Sequence, residues 1–302
     1  MKTLIILIVI FCSFTGAAKD NAIPLLSISG ANWSSDEITF IKALHKKGSL
    51  KIATRISPPI YQRHKDDSIT GFHYNVLKAF TDLTKINIEI EVVTWEHYFY
   101  RKGKDLRKAQ YDPSYSYIPS LIGNVDIYLD TITALPWREK MFDIIQYIPS
   151  RQMIISRKNN IPNNVSDLDN KYFAMMKHTS MENNLELLVK NNNINIIYKY
   201  FDNFDDMDKM VSEGEVDFTV YDSDRAFFTV KKRDNLTIVW PISDIQMMGW
   251  GINKNNQLLK GILEKYLKYA QETGLLDKYW KIYYGVTFVE YLNILNLGVT
   301  KH

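Results

Sequence analysis

Cysteine is nearly missing from this sequence: Cys12 is the only one in 302 residues. A chain with a single thiol has no disulfide framework and no cysteine-based zinc site, so its stability rests on its core. Neither sign of charge is in surplus. Lys plus Arg number 37 against 34 Asp plus Glu, a formal charge of +3, with no long basic block. That is not the footprint of a nucleic-acid binder. Beyond residue 18 no apolar stretch approaches the roughly twenty residues of a membrane helix. Glycine and proline are sparse, at 13 and 9, which excludes collagen-like and low-complexity classes. What is present is a chain 46% hydrophobic and 24% charged, enough for a large core, and its length suggests two domains.

Motif chemistry is thin as well. P-loop, GxGxxG and GxSxG patterns are absent, which leaves phosphate cradling and a hydrolase nucleophile without support. The six histidines, at 45, 64, 73, 97, 178 and 302, form no HExxH or other close ligand pair. Asp202, Asp205, Asp206 and Asp208 lack the glycine a calcium loop places at its sixth position, and read as a solvated helix start. No catalytic residue, metal or cofactor is expected.

The N-terminus has the three parts of a secretory leader: Lys2, the apolar run Leu4 to Phe14, and Gly16-Ala17-Ala18. Cleavage near Ala18 is expected, giving a periplasmic or extracellular protein that has lost Cys12. After it, Ser34 and Glu37 have capping-box spacing, and Gly48 stops the helix they open. Leu50 to Thr54 alternates as a strand, Val76, Leu77, Phe80 and Leu83 share a helix face, and Ile88 to Val92 and Val125 to Leu129 are further strands. After a β-rich passage at 144–156 the order of elements restarts, with strands expected at 172–176, 194–198, 216–221 and 236–240. The fold class is α/β, with strands alternating with helices in two similar lobes. One stretch breaks the rhythm: Trp95 to Leu121 carries five Lys and Arg and five tyrosines around Pro113. It reads equally as a solvated insertion or a functional one.

Four segments in order resemble the extracellular solute-binding proteins of family 3, a fold shared with the N-terminal domain of membrane-bound lytic transglycosylase F. They are Lys47-Gly48-Ser49-Leu50-Lys51-Ile52-Ala53-Thr54 with Pro58-Pro59 and Gly71-Phe72; Leu121 to Arg138; Asp167-Leu168, Thr179-Ser180 and Glu213 to Asp222; and Leu276-Asp277-Lys278-Tyr279-Trp280 with Gly285. The resemblance implies a type II periplasmic-binding-protein fold with two crossing segments, near 146–152 and 240–247. Lobe 1 would hold residues 19–146 and 247–302, and lobe 2 residues 147–246. It also implies an exported, non-catalytic receptor for an amino acid or similar zwitterion, with an ABC transporter permease as its partner. A cell-wall-associated peptide-binding module and a dehydratase-like enzyme are the alternatives.

In such proteins an arginine after a T-x-T segment grips the ligand carboxylate, which implies that role for Arg138, with Thr133 beside it. A planar guanidinium suits a carboxylate because it offers two parallel N–H groups. Thr179 and Ser180 would bring a helix N-terminus to the same anion, with His178 in place of a usual glycine. Asp222, at a strand's C-terminal end, would accept the ammonium. Trp95 falls where an aromatic ring packs on the ligand side chain, Ser57 falls where such proteins often carry another aromatic, and Tyr221 beside Asp222 is a further cleft candidate. Asp130-Thr131 replace a usual small pair, placing a carboxylate where it could meet a basic ligand group or crowd out an ordinary amino acid. Read without the resemblance, Arg138 is equally a surface arginine, Thr179-Ser180 a helix cap, Asp222 a partner of Arg225, and Trp95 a core residue.

Overall fold

The computed structural model describes residues 22–297; the expected leader, with Cys12, lies outside them. Helix α1 (Ser35–Lys47) opens with the anticipated capping box. The Glu37 amide donates to Ser34 Oγ at 3.2 Å and the Ser34 amide to Glu37 Oε2 at 2.7 Å. It ends at Gly48, whose φ of 81° is readily adopted only without a Cβ. Strand β1 (Ser49–Thr54) follows, then a small hairpin of β2 (Gln62–Arg63) and β3 (Ile69–Thr70), helix α2 (Phe72–Thr84) and strand β4 (Asn87–Val92). Helix α3 (Leu106–Tyr111) lies inside the irregular stretch, followed by β5 (Ile127–Thr133), α4 (Pro136–Met141) and β6 (Asp143–Ser150).

The chain then leaves this sheet for a second one. Strands β7 (Gln152–Arg157), β8 (Lys171–Met175), β9 (Ile196–Tyr200), β10 (Phe218–Asp222) and β11 (Leu236–Pro241) alternate with helices α5 (Ser180–Asn192), α6 (Phe204–Glu213) and α7 (Ser223–Lys232). It returns through β12 (Gln246–Ile252) and finishes with α8 (Gln257–Glu272), α9 (Leu275–Tyr284) and α10 (Phe288–Leu297).

The two five-stranded sheets have one plan. The first runs β4-β1-β5-β12-β6 and the second β9-β8-β10-β7-β11. In each, three parallel strands come first, and two antiparallel pairings complete the edge. The fourth strand in each order is the one that has just crossed over. The crossings lie at Arg151 and at 242–245, between the paired ends of β6 and β12 on one side and β7 and β11 on the other. Each sheet, with the helices on its faces, makes one lobe.

The first lobe's core gathers Phe72, Phe80, Trp250, Tyr266 and Trp280, and the second Phe173, Leu185, Met207, Val211 and Phe218. The C-terminal helix adds Phe288, Tyr291 and Leu295 to the first core. The structure sharpens three of the expectations. Strand β5, expected over 125–129, runs from Ile127 to Thr133 and so includes the T-x-T segment. The β-rich passage is two strands in different sheets. The tyrosine-rich stretch is part buried and part exposed: Tyr98, Phe99, Ala109 and Tyr117 are buried in a third cluster with Tyr128 and Phe142, Tyr100 and Tyr111 are exposed, and the Tyr117 hydroxyl donates to the Phe99 carbonyl at 2.8 Å.

Candidate ligand-binding site

In sheets with parallel strands, groups at the strands' C-terminal ends converge on the open edge. Here four such ends, two from each sheet, meet at one cavity. Arg55 follows β1, Thr131 and Thr133 end β5, Met176, Thr179, Ser180 and Met181 follow β8, and Asp222 ends β10. Trp95, Arg138 and Phe204 complete the wall. The free space between these groups is about 30 Å³, and it opens past Trp95 and Met176 toward neighbouring clefts.

Arg138 is 1% exposed and therefore not the surface arginine of the plainer reading. Its Nη1 donates to the Thr133 carbonyl at 3.1 Å, while its Nε is buried without a partner. Its guanidinium carbon lies 5.2 Å from the centre of the Trp95 ring and 5.5 Å from that of Phe99. Burial pulls its pKa down to about 9, against the opposing pull of Asp222 and Asp130. Asp222 faces it from the other lobe; burial raises its pKa to about 6, and a Gln152 hydrogen bond and Arg138 only partly offset this. The next carboxyl along, Asp224, is pushed up to about 7 by burial and then by Asp222, and its Oδ1 has no partner.

The lobes touch directly at the cavity. Thr133 Oγ1 and Ser180 Oγ are 3.0 Å apart, and Ser180 Oγ also accepts from Gln152 Nε2 at 3.0 Å. Thr179 caps α5, its hydroxyl taking the Glu182 amide at 3.3 Å and giving to the Met176 carbonyl at 2.9 Å. His178 has φ 60°, a left-handed conformation that glycine adopts more freely. Its carbonyl accepts from Trp95 Nε1 at 3.3 Å.

Of the ten anticipated positions, Arg138, Thr133, Thr131, Thr179, Ser180, Asp222 and Trp95 line this cavity. Three do not. Tyr221 is a correction: side chains alternate along a strand, so it points opposite to Asp222. Its hydroxyl donates to the buried Asp208 at 2.8 Å, in a cluster with Arg225. Arg225 is thus Asp208's partner, with Nη2–Oδ2 at 2.6 Å. Asp130 is a second correction, because its carboxylate is already occupied. Arg55 Nε donates to its Oδ2 at 2.6 Å and Nη2 to its Oδ1 at 2.9 Å. Ser57 bridges to Tyr61 and lines a neighbouring cleft of about 200 Å³ beyond Trp95.

Sequence reading missed Arg55, Met176, Met181, Phe204 and Gln152, which opens β7 beside Asp222. Arg55 had a signal, since it directly follows a strand whose end points toward the cleft. Phe204 had none; it reaches the cavity from the first turn of α6.

No protein-family model matches the chain. Over 255 residues it is 23% identical to membrane-bound lytic murein transglycosylase F of Pseudomonas fluorescens, covering 83% of this chain and 49% of that one. It thus spans about half the length of the curated relatives it matches. Among solved structures it is similar to the ancestral amino acid-binding protein AncCDT-1, a precursor of cyclohexadienyl dehydratase, with TM-score 0.65 and 21% identity over 81% of this chain and 99% of that one. It is also similar to an ancestral arginine-binding protein bound to arginine, with TM-score 0.62 and 21% identity over 79% and 99%. The fold is that of the type II periplasmic binding proteins, and the resemblance read from the sequence is borne out.

Proposed function

We propose that this protein is an exported, non-catalytic solute-binding protein that closes its two lobes on a small α-amino acid. The observation that carries the reading is that Arg138, from one lobe, and Asp222, from the other, line the same buried cavity. Arg138 has an unpartnered N–H for a carboxylate, with Thr133 beside it and the first turn of α5 opposite. Asp222 offers an anion to an ammonium. A ligand held by both lobes binds the closed form better than the open one and so shifts the population toward closure. An ABC importer that reads the closed shape is the expected partner. A thermal-shift and calorimetric screen of amino acids tests the binding, because a ligand selective for the native state raises the melting temperature. A ligand whose affinity survives Arg138→Ala overturns the assignment, and turnover of a bound ligand overturns the non-catalytic part.

A second reading has its own support. The curated relatives are lytic transglycosylases acting on murein, and beyond Trp95 and Met176 the cavity adjoins a cleft of about 490 Å³ lined by Lys177, Tyr200 and Asp202. A peptide whose terminal residue sits between Arg138 and Asp222 would extend into it. Tighter binding of cell-wall peptides than of their free amino acids would select this reading.

A further inference from the structure

The tyrosine- and lysine-rich stretch between β4 and β5 has an outer side that the interlobe cavity does not use. Its inner side is anchored, with Tyr98, Phe99, Ala109 and Tyr117 buried against Tyr128 and Phe142. Its outer side carries Arg101, Lys102, Lys104, Arg107 and Lys108, all exposed. Among the described residues none of these five is in an ion pair. Residues 96–118 hold the five cations against three carboxylates, and two of the three are engaged locally. Asp105 caps α3 by accepting the Lys108 amide at 3.2 Å, and Asp112 accepts the Ser114 amide at 2.9 Å. The third, Glu96, lies in the wall of a small cavity with Tyr100, Lys104 and His178. Positive charge therefore prevails on the outer side. Two large side chains stand among the cations, Tyr100 at 57% exposed and Ile118 at 58%. They are neighbours: the Ser120 amide donates to the Tyr100 carbonyl at 2.9 Å, and Arg101 Nη1 to the Ile118 carbonyl at 2.7 Å. The Lys104 amide then donates to the Arg101 carbonyl at 3.0 Å, and Lys104 and Lys108 lie over one ring, that of Tyr115, at 5.4 and 4.9 Å.

We infer that this side of the first lobe docks on an anionic phospholipid surface, the cations meeting headgroup phosphates while Tyr100 and Ile118 enter the layer beneath. Charge complementarity names the sign of the partner. Cations with no carboxylate in the protein keep their pairing capacity for phosphate, and each one close to an anionic bilayer strengthens binding about fivefold. The exposed apolar pair names its kind. A purely charged patch would take any polyanion, whereas apolar side chains rimmed by cations match a partner whose charge overlies hydrocarbon. The ring of Tyr100 suits that boundary, with an apolar body and a polar tip. The buried inner side holds the stretch in shape, so docking has little left to order. The inference is independent of what the interlobe cavity binds.

The test is co-sedimentation of the exported protein with vesicles of phosphatidylcholine alone, or of phosphatidylcholine mixed equally with phosphatidylglycerol. Much tighter binding to the mixed vesicles is expected, falling about tenfold or more between about 0.05 and 0.5 M salt as screening shortens to a few ångströms. Arg101→Gln, Lys102→Gln, Lys104→Gln, Arg107→Gln and Lys108→Gln together should weaken it at least about a hundredfold. Tyr100→Ser with Ile118→Ser leaves the charge unchanged and should weaken it about tenfold through lost apolar contact. Both variants change exposed side chains and should melt as the wild type does. Equal binding to the two vesicle types, no binding to the mixed ones, or full binding by the glutamine variant overturns the inference. Wild-type binding by Tyr100→Ser/Ile118→Ser, with displacement by soluble polyphosphate, would make the partner a polyanion without a hydrocarbon layer and overturn it as well. The wild-type dependence on lipid charge and salt decides the matter even where a variant does not fold.

Discussion

Arg138 and Asp222 are both placed where burial opposes their charge, which is a poor arrangement for an empty protein and a good one for holding an ion. Truncating Arg138 to Ala removes, among the described residues, the one guanidinium N–H in the cavity that is buried and unpartnered. Carboxylate ligands should lose about 2–5 kcal/mol of binding, the usual cost of deleting one partner of a buried charge pair. The melting transition should stay cooperative, as calorimetry and circular dichroism on the same sample would reveal. Asp222 adds a pH dependence. To accept an ammonium it must be ionised, and its pKa is raised to about 6. Affinity for an amine-bearing ligand should be flat from about pH 7 to 8 and fall up to roughly tenfold per unit below about 6. Asp222→Asn should bind weakly at every pH, and a wild-type affinity constant from pH 7 to 4 would remove Asp222 from ammonium binding. For stability the sign is the reverse. Asp224 has a folded pKa of about 7, raised by burial well above the usual carboxylate range. The native state therefore holds a proton that the unfolded chain has released. Stability from the neutral form is complete below about 4 and is lost as pH rises toward 7. Asp224→Asn should abolish that fall, seen as a gain over wild type in urea midpoint that appears only as the pH rises. At this scale the sequence disclosed residues with a positional rule, such as Arg138 after T-x-T and Asp222 at a strand end. It hid Asp130's true partner, because Arg55 lies 75 residues away in sequence and only the pairing of β1 with β5 brings them together.

Among elements, the legible ones carry their own punctuation. Helix α1 has a capping box and a terminal glycine, α5 a threonine cap, and α6 an asparagine cap and Gly214. Boundaries without such marks were read short or shifted. Strand β10 was expected to end at Tyr221, and β5 at Leu129, because hydrophobicity fades just where these strands deliver polar groups to the cleft. The cap of α5 has a measurable price in stability. Thr179→Ala loses a cap bond and a buried hydroxyl bond at once and should cost about 1–2 kcal/mol in denaturant unfolding; Thr179→Ser should recover most of it. Helix α3 was invisible, since its six residues are too few for a periodic face. Its position is informative: Gln110 Nε2 donates to Asn183 Oδ1 on α5 at 2.7 Å, and the Tyr111 hydroxyl to Glu186 at 3.4 Å. These bonds join the lobes only while they are together. Gln110→Ala with Tyr111→Phe should therefore speed ligand release severalfold in stopped-flow experiments and leave the melting of ligand-free protein within about 0.5 kcal/mol, as for surface substitutions generally. Unchanged release would mean that α3 takes no part in closure.

For the molecule as a whole, the cavity's size and its contents are in tension. About 30 Å³ between the facing walls is too little for the charged ends of an amino acid while the lobes stay as they are, yet the walls carry a buried cation and a buried anion from opposite lobes. The tension resolves if the lobes separate to admit a ligand and close again around it, turning about the crossings at Arg151 and 242–245. Thr133 and Ser180 offer a way to test this, with hydroxyl oxygens 3.0 Å apart across the interface. Cysteines at both positions would place two sulfurs within reach of a bond, and the only native cysteine is Cys12. Oxidised Thr133→Cys/Ser180→Cys protein should stay compact in X-ray scattering whether or not ligand is added. It should also exclude ligand, because the space between the lobes cannot widen. Reduction should restore both entry and a ligand-dependent decrease in radius of gyration, with affinity lowered by the loss of two hydroxyls. A crosslinked protein that still binds at the reduced protein's rate would show that ligand reaches the cavity without lobe separation, and hinge closure would then have no part in recognition.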